Sequence, residues 1–227
     1  MNAAYSQTNP MTPSDITTKA LLVGGALAGP LFTTVWIVAG ALTANYDPLR
    51  HHISLLSIGE LGWMQVASFI ISGLLVLGFA LGLRRALRPS GSVWGPLLVG
   101  LVGIGLIGAG IFVVDPHTGY PPNTPLIPTE RTTNGILHDL FGGLVLLGLP
   151  ITCFVFARLF VKLGERNWAI YSAVSGVTLF VVFLLSKLSP DVAALFGLHQ
   201  RIMLTVDFIW LTLLAIHMLK ARKAGST

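Results

Sequence analysis

The chain is poor in charge, in thiols and in catalytic signatures. Only 10% of its 227 residues are charged, against 53% hydrophobic, and its mean hydropathy is +0.78. That is too little polar surface to coat a soluble globule of this size, so lipid bilayer must be its solvent. One cysteine, Cys153, stands alone in an apolar run, which excludes a disulfide framework and a cysteine metal site. Neither a nucleophile elbow nor a His-Glu-x-x-His pattern occurs, and no low-complexity tract or clear repeat breaks the sequence.

What is present is a series of six apolar runs, at 20–44, 62–83, 93–114, 140–160, 168–188 and 202–219. Each is about 20 residues, enough to cross a hydrocarbon core of roughly 30 Å at about 1.5 Å per residue. Backbone groups in lipid must be paired within a helix or a closed barrel, and continuous rather than alternating apolar runs exclude the barrel. The chain is therefore predicted to be an all-α integral membrane bundle of six transmembrane helices over 20–219, with tails at 1–19 and 220–227. Pro10, Pro13, Ser14 and Asp15 give the first tail a polar character without the pattern of a signal peptide, so it is expected to be cytosolic.

Charge divides the two ends of this bundle. Ten of the fourteen Lys and Arg residues fall at one end: Lys19, then Arg84, Arg85 and Arg88, then Arg158, Lys162 and Arg166, then Lys220, Arg222 and Lys223. The positive-inside rule makes that end cytoplasmic, with both termini on it. The basic pI of about 9.7 then reflects juxtamembrane anchoring toward anionic lipid, and no nucleic-acid partner is implied. Glycines spaced four apart, Gly25 with Gly29 and Gly78 with Gly82, and the five glycines between Gly100 and Gly110, are expected to let helices approach closely.

Five of the six histidines and seven of the nine carboxylates lie at the opposite end. Three loops meet there, at 45–61, 115–135 and 189–201. The first is too apolar for a free loop and too polar for a span, and is expected to lie as an interfacial turn with Trp63 at headgroup depth. The second carries five prolines from Pro116 to Pro128. They forbid a regular helix and stiffen a segment that serves either as a lid or as a tether. Asn134, His138 and Asp139 open the fourth helix, with Asn134 suited to its N-cap. His199, Gln200 and Arg201 open the sixth, and Asp207 lies about 9 Å further along it, where an ionised carboxylate costs several kcal/mol unless partnered. His217, near the basic end, reads as an interfacial residue.

These motifs carry a resemblance. Tyr46-Asp47-Pro48-Leu49-Arg50, His52-Ile53-Ser54 with Gly59, Gly62-Trp63 and Gln65, Asp115-Pro116 with Gly119-Tyr120-Pro121-Pro122, Gly135-Ile136-Leu137-His138-Asp139 and Gln200-Arg201 resemble the bacterial and archaeal membrane family called domain of unknown function nine-nine-eight. The resemblance runs from the first helix to the sixth. It implies a six-helix protein of a prokaryotic plasma membrane whose characteristic polar residues face outward, and it implies no particular activity. Where the family pattern has a His four residues before His138, this chain has Asn134, which weakens a shared metal ion on that helix face.

The candidate polar site is His52, Ser54, Asp115, His138, Asp139, Gln200, Arg201 and Asp207, with no metal assigned to it and its cofactors unknown. Three classes remain open. The first is a non-catalytic protein of the lipid bilayer that recognises a lipid or small amphiphile. The second is a metal-dependent hydrolase or transferase using His52, His138 and His199 with Asp115 or Asp139, and with Ser54 polarised nearby. The third is a small transporter, hinted at by Pro30 and Asp207, or a haem protein using His138 and His199. Substrate and oligomeric state are not readable from the residues.

Overall fold

Helix outruns hydropathy at both ends of the fourth and sixth apolar runs, whereas the third helix stops short of its run at both ends. The computed structural model describes residues 13–127, 130–188 and 195–224. It contains α1 (Pro13–Leu42), α2 (Gly62–Ala86), α3 (Trp94–Ile111), α4 (Thr133–Lys162), α5 (Arg166–Leu188) and α6 (Phe196–Ala224). All six are long and apolar enough to cross a membrane. Polar residues extend α4 and α6 at the histidine end, so Asn134, His138, Asp139, Gln200 and Arg201 lie on helical turns rather than in loops.

Each helix packs against the next in sequence, and α6 closes the ring by lying between α5 and α1. Glycine makes the tightest of these seams. Between α2 and α3, a Cβ at Gly73 would come within 2.8 Å of the Gly103 carbonyl, and one at Gly103 within 2.9 Å of the Leu77 nitrogen. Gly25 of α1 likewise receives the ring of Phe79, and Gly108 of α3 that of Phe141. The small residues thus serve contacts within the bundle. Toward the basic end the interior is aromatic, with Phe156 on Trp210 at 5.5 Å and Trp168 on His217 at 4.3 Å. His217 also bonds Glu165 at 2.6 Å, joining α6 to the turn before α5.

The segment after α1 corrects one expectation. Instead of an interfacial turn, Ile53–Ser57 forms a short 3-10 helix with every residue buried, and it roofs the ring at the histidine end. Ile53, Leu55 and Leu56 favour that position because it removes their side chains from water, and the polar cost is met by bonds such as Ile53 N–H to the Gln200 Oε1 at 2.7 Å. Trp63 remains 68% exposed at the start of α2.

The glycine seam is testable. Gly73→Ala should lower the unfolding free energy in detergent by about 1–3 kcal/mol through overpacking against backbone. Gly100→Ala is the matched control, since its Cβ would meet Ala80 at an ordinary 3.7 Å. Thermal unfolding of the two variants side by side would reveal a difference, and equal midpoints would refute the seam.

Candidate functional site

Arg201 is a buried cation on the first turns of α6; backbone carbonyls and a phenol solvate its two terminal nitrogens, while its Nε has no partner among the described residues. Its Nη1 donates to the carbonyls of His51 at 3.0 Å and Gly197 at 2.9 Å, and its Nη2 donates to the Tyr46 hydroxyl. That hydroxyl donates onward to the carbonyls of His51 and His52, at 3.2 and 3.0 Å. The guanidinium also stacks against Trp36 and Tyr46, 5.3 and 5.5 Å from their centroids. The loop can come this close because residue 197 is glycine, whose Cβ would stand 2.5 Å from the His51 carbonyl. Arg201 therefore fastens the roof to α6.

His51 completes this clamp as an acceptor. Its Nδ1 receives the Asp47 N–H at 2.8 Å, and its ring packs 5.3 Å from Tyr120 of the proline-rich loop. Burial lowers the His51 imidazole below its ordinary value against the opposing pull of the Asp47 carboxylate. Burial likewise raises the phenols of Tyr46 and Tyr120, although Arg201 pulls Tyr46 the other way. The proline-rich loop is thus tethered at Tyr120.

A second arrangement joins α3 to α4 by exchanging caps. His138 of α4 donates Nδ1–H to the carbonyls of Ala109 and Phe112 at 3.0 and 2.8 Å, where α3 leaves its last carbonyls unpaired. Asp115, just beyond α3, accepts from the Thr132 N–H at 3.0 Å and the Thr132 hydroxyl at 2.5 Å. Thr132 in turn accepts from the Gly135 N–H at 3.0 Å and is the N-cap of α4. Asn134, expected at that cap, is instead exposed inside the first turn. The carboxylate lies so close to the helix start that a Cβ at Gly135 would be 2.0 Å from it.

Two candidates occupy the rim. His117 donates Nδ1–H to the Asp115 carbonyl at 2.7 Å, which leaves its Nε2, in the neutral ring, to accept from the His52 Nδ1 at 3.2 Å. His52 also stacks on Phe196, centroids 4.2 Å apart. Asp139 is more than half exposed and pairs with Arg131, a surface contact of small energetic weight. Among the described residues no three His, Cys, Asp or Glu side chains gather as a metal-holding group.

Below the roof is a cavity of about 40 Å³. Its polar lining is Ser54, His138 and Gln200, and its walls include Phe32, Phe69, Leu106, Val145, Leu146 and Leu204. Gly142 lines it too, and among the described residues a Cβ at Gly142 or at Gly143 would meet nothing within 4 Å. Gly143 lies about 100° round the helix from Gly142, on the side away from the Phe141 contact with α3. Further toward the basic end, Gly176 of α5 packs on Phe154 and Cys153 of α4. Among the described residues, α4 and α5 are therefore in contact at Gly176, whereas Gly142 and Gly143 are half-buried and no neighbour stands where their Cβ atoms would be.

The family profile described as Protein of unknown function (DUF998) matches residues 26–217, most of the chain and every one of these arrangements. The chain belongs to the DUF998 family. No curated protein and no solved structure matches it.

The eight candidate residues of this DUF998 chain thus divide among separate arrangements. Ser54, His138 and Gln200 meet at the cavity; Arg201 stands beside it in the clamp; Asp115 caps α4; His52 and Asp139 sit at the rim. Asp207 lies inside the bundle, fully buried, and among the described residues neither carboxylate oxygen has a hydrogen-bond partner. It shares a face of α6 with Gln200 and Leu204, so it lies beneath the cavity. Gln65 of α2 is also fully buried, its amide likewise unpartnered among the described residues. Tyr46, His51, Thr132, Gly142 and Gly197 are absent from the sequence-based set, although Tyr46 and Gln65 stand in its motifs and the Gly142-Gly143 pair interrupts an apolar run.

Two predictions follow from these geometries. Unfolded His51 takes a proton near its ordinary value of 6.5, whereas the folded residue takes it only at lower pH. The unfolded state therefore binds more protons in that window, and stability must fall as pH drops through it. Thermal unfolding between about pH 7 and about pH 5 should show that loss in the wild type. His51→Asn, which keeps an acceptor for Asp47 but cannot titrate, should show less of it. Replacing the unpartnered carboxylate by Asp207→Val should raise the unfolding free energy by about 1–3 kcal/mol; a fall would reveal a partner for it.

Proposed function

We propose that this chain recognises an amphiphile at the extracytoplasmic end of its bundle, in a plasma membrane with both termini cytoplasmic. The orientation is supported by the ten Lys and Arg residues at the basic end and the positive-inside rule. One observation supports the recognition: a cavity with the polar lining Ser54, His138 and Gln200 lies beside Gly142 and Gly143, a half-buried, side-chain-free stretch of a membrane-spanning helix. The cavity's 40 Å³ has room for about three water-sized groups, far less than the several hundred Å³ of a site that encloses a whole ligand. Only the small polar end of an amphiphile enters. Its tail stays outside, along Gly142 and Gly143 of α4.

The clamp and the exchanged caps support this reading by holding the polar lining still. His138 is fixed by two carbonyls and Gln200 by the Ile53 N–H, so neither must be ordered when a ligand arrives.

Gly142→Leu tests the reading, because it fills the opening without touching a polar group. The protein is purified in mild detergent and the molecules retained are identified by mass spectrometry. The wild type should retain an amphiphile at about one per chain that Gly142→Leu loses, with the unfolding midpoint unchanged within a few degrees. Identical bulk-lipid profiles for the two proteins would sink the proposal.

A further inference from the structure

The cavity's hydrogen-bonding groups are fixed in sense as well as in place, and together they select a chemical class. His138 Nδ1 faces two carbonyl oxygens, at 3.0 and 2.8 Å, and must be the protonated nitrogen. A neutral ring then has a lone pair at Nε2 and can only accept there. Gln200 turns Oε1 to the Ile53 N–H at 2.7 Å, so its remaining polar group is the NH2, which can only donate. The Ser54 hydroxyl can do either.

No full charge lines the cavity. Arg201, nearest to it on α6, is turned to the carbonyls of His51 and Gly197 and to the Tyr46 hydroxyl. Asp115 is held by Thr132, Asp139 pairs with Arg131 on the rim, and Asp207, further along α6, is not among the described residues that line the cavity. An anionic head would lose its hydration without meeting a cation, and an ammonium head would do so without meeting an anion. A carbonyl-only head would accept from Gln200 but leave the His138 lone pair unmet.

We propose that the ligand is an uncharged amphiphile ending in a hydroxyl, which donates to His138 Nε2 and accepts from the Gln200 amide. Long-chain alcohols and acylglycerols with a free hydroxyl belong to this class, and phospholipids do not. The proposal rests on the amphiphile reading above and adds the chemistry of the head.

Four probes with one common tail test it: oleyl alcohol, oleic acid, oleyl phosphate and oleylamine, titrated into the full-length protein in phosphatidylcholine nanodiscs. Oleyl alcohol should bind about tenfold or more tightly than the other three, the worth of one buried hydrogen bond or more. His138→Asn retains a side-chain N–H for the two carbonyls but is too short to place an acceptor where Nε2 stood, and Gln200→Glu retains the acceptor for Ile53 and removes the amide donor. Each should weaken oleyl alcohol about tenfold while the unfolding midpoint identifies any variant that has lost its fold.

The outcomes separate the two claims. Equal binding of all four heads, tighter binding of a charged one, or unchanged affinity in folded His138→Asn and Gln200→Glu overturns the hydroxyl class and leaves amphiphile recognition standing. Failure of all four probes, together with failure of dioleoylglycerol, or binding that Gly142→Leu leaves unaltered, removes the amphiphile reading and this one with it.

Discussion

A guanidinium has to be solvated wherever it is, and in this bundle the solvent is peptide carbonyl. Arg201 reaches the carbonyls of His51 and Gly197 and the hydroxyl of Tyr46. Each bond to a charged group contributes more than a neutral one, and breaking the set would leave a buried charge unmet, at a cost of roughly 3–5 kcal/mol. That penalty fixes the path of the chain between α1 and α2. With the roof fixed, Ile53 is presented to Gln200, Ser54 is presented to the cavity, and the proline-rich loop finds Tyr46 and His51 against which to pack Tyr120.

The polar residues at this end therefore do two kinds of work. Asp115, Thr132, His51 and Tyr46 terminate helices and hold loops, and each makes a hydrogen bond to backbone. His138 and Gln200 also bond backbone, each through one atom, and both line the cavity. A side chain anchored at one nitrogen or oxygen is pre-oriented at the other, and this is how a small polar lining can discriminate without a charge.

How far the sequence reveals this depends on the range of the interaction. Six continuous apolar runs suffice for six helices, because hydrocarbon permits only helices and closed barrels and a barrel needs alternating strands. The glycine spacings are legible for the same local reason. The buried roof is less so: Ile53-Ser54-Leu55-Leu56 is short and mixed, and only Gln200 and Arg201, about 150 positions away, make its burial affordable. The cap of α4 is a closer miss. Asn134 and Thr132 are both good cap residues, and Asp115, which selects Thr132, is far along the chain. His138 reads as a ligand or a base until the end of α3 is placed beside it, and no spacing rule encodes the two carbonyls it meets. Asp207 stands out in sequence and in space alike, because a carboxylate in an apolar run has no short-range explanation in either.

At the opposite end, Arg222 of α6 bonds Asp15 of α1 across the closure of the ring. The first and last helices are thus side-by-side neighbours, tied together at the basic end. A short peptide could join them into an uninterrupted circle of six staves. Reopening that circle at the turn around Gly91, where a Cβ would meet no neighbour, would give a circular permutant with the same seams in a different chain order.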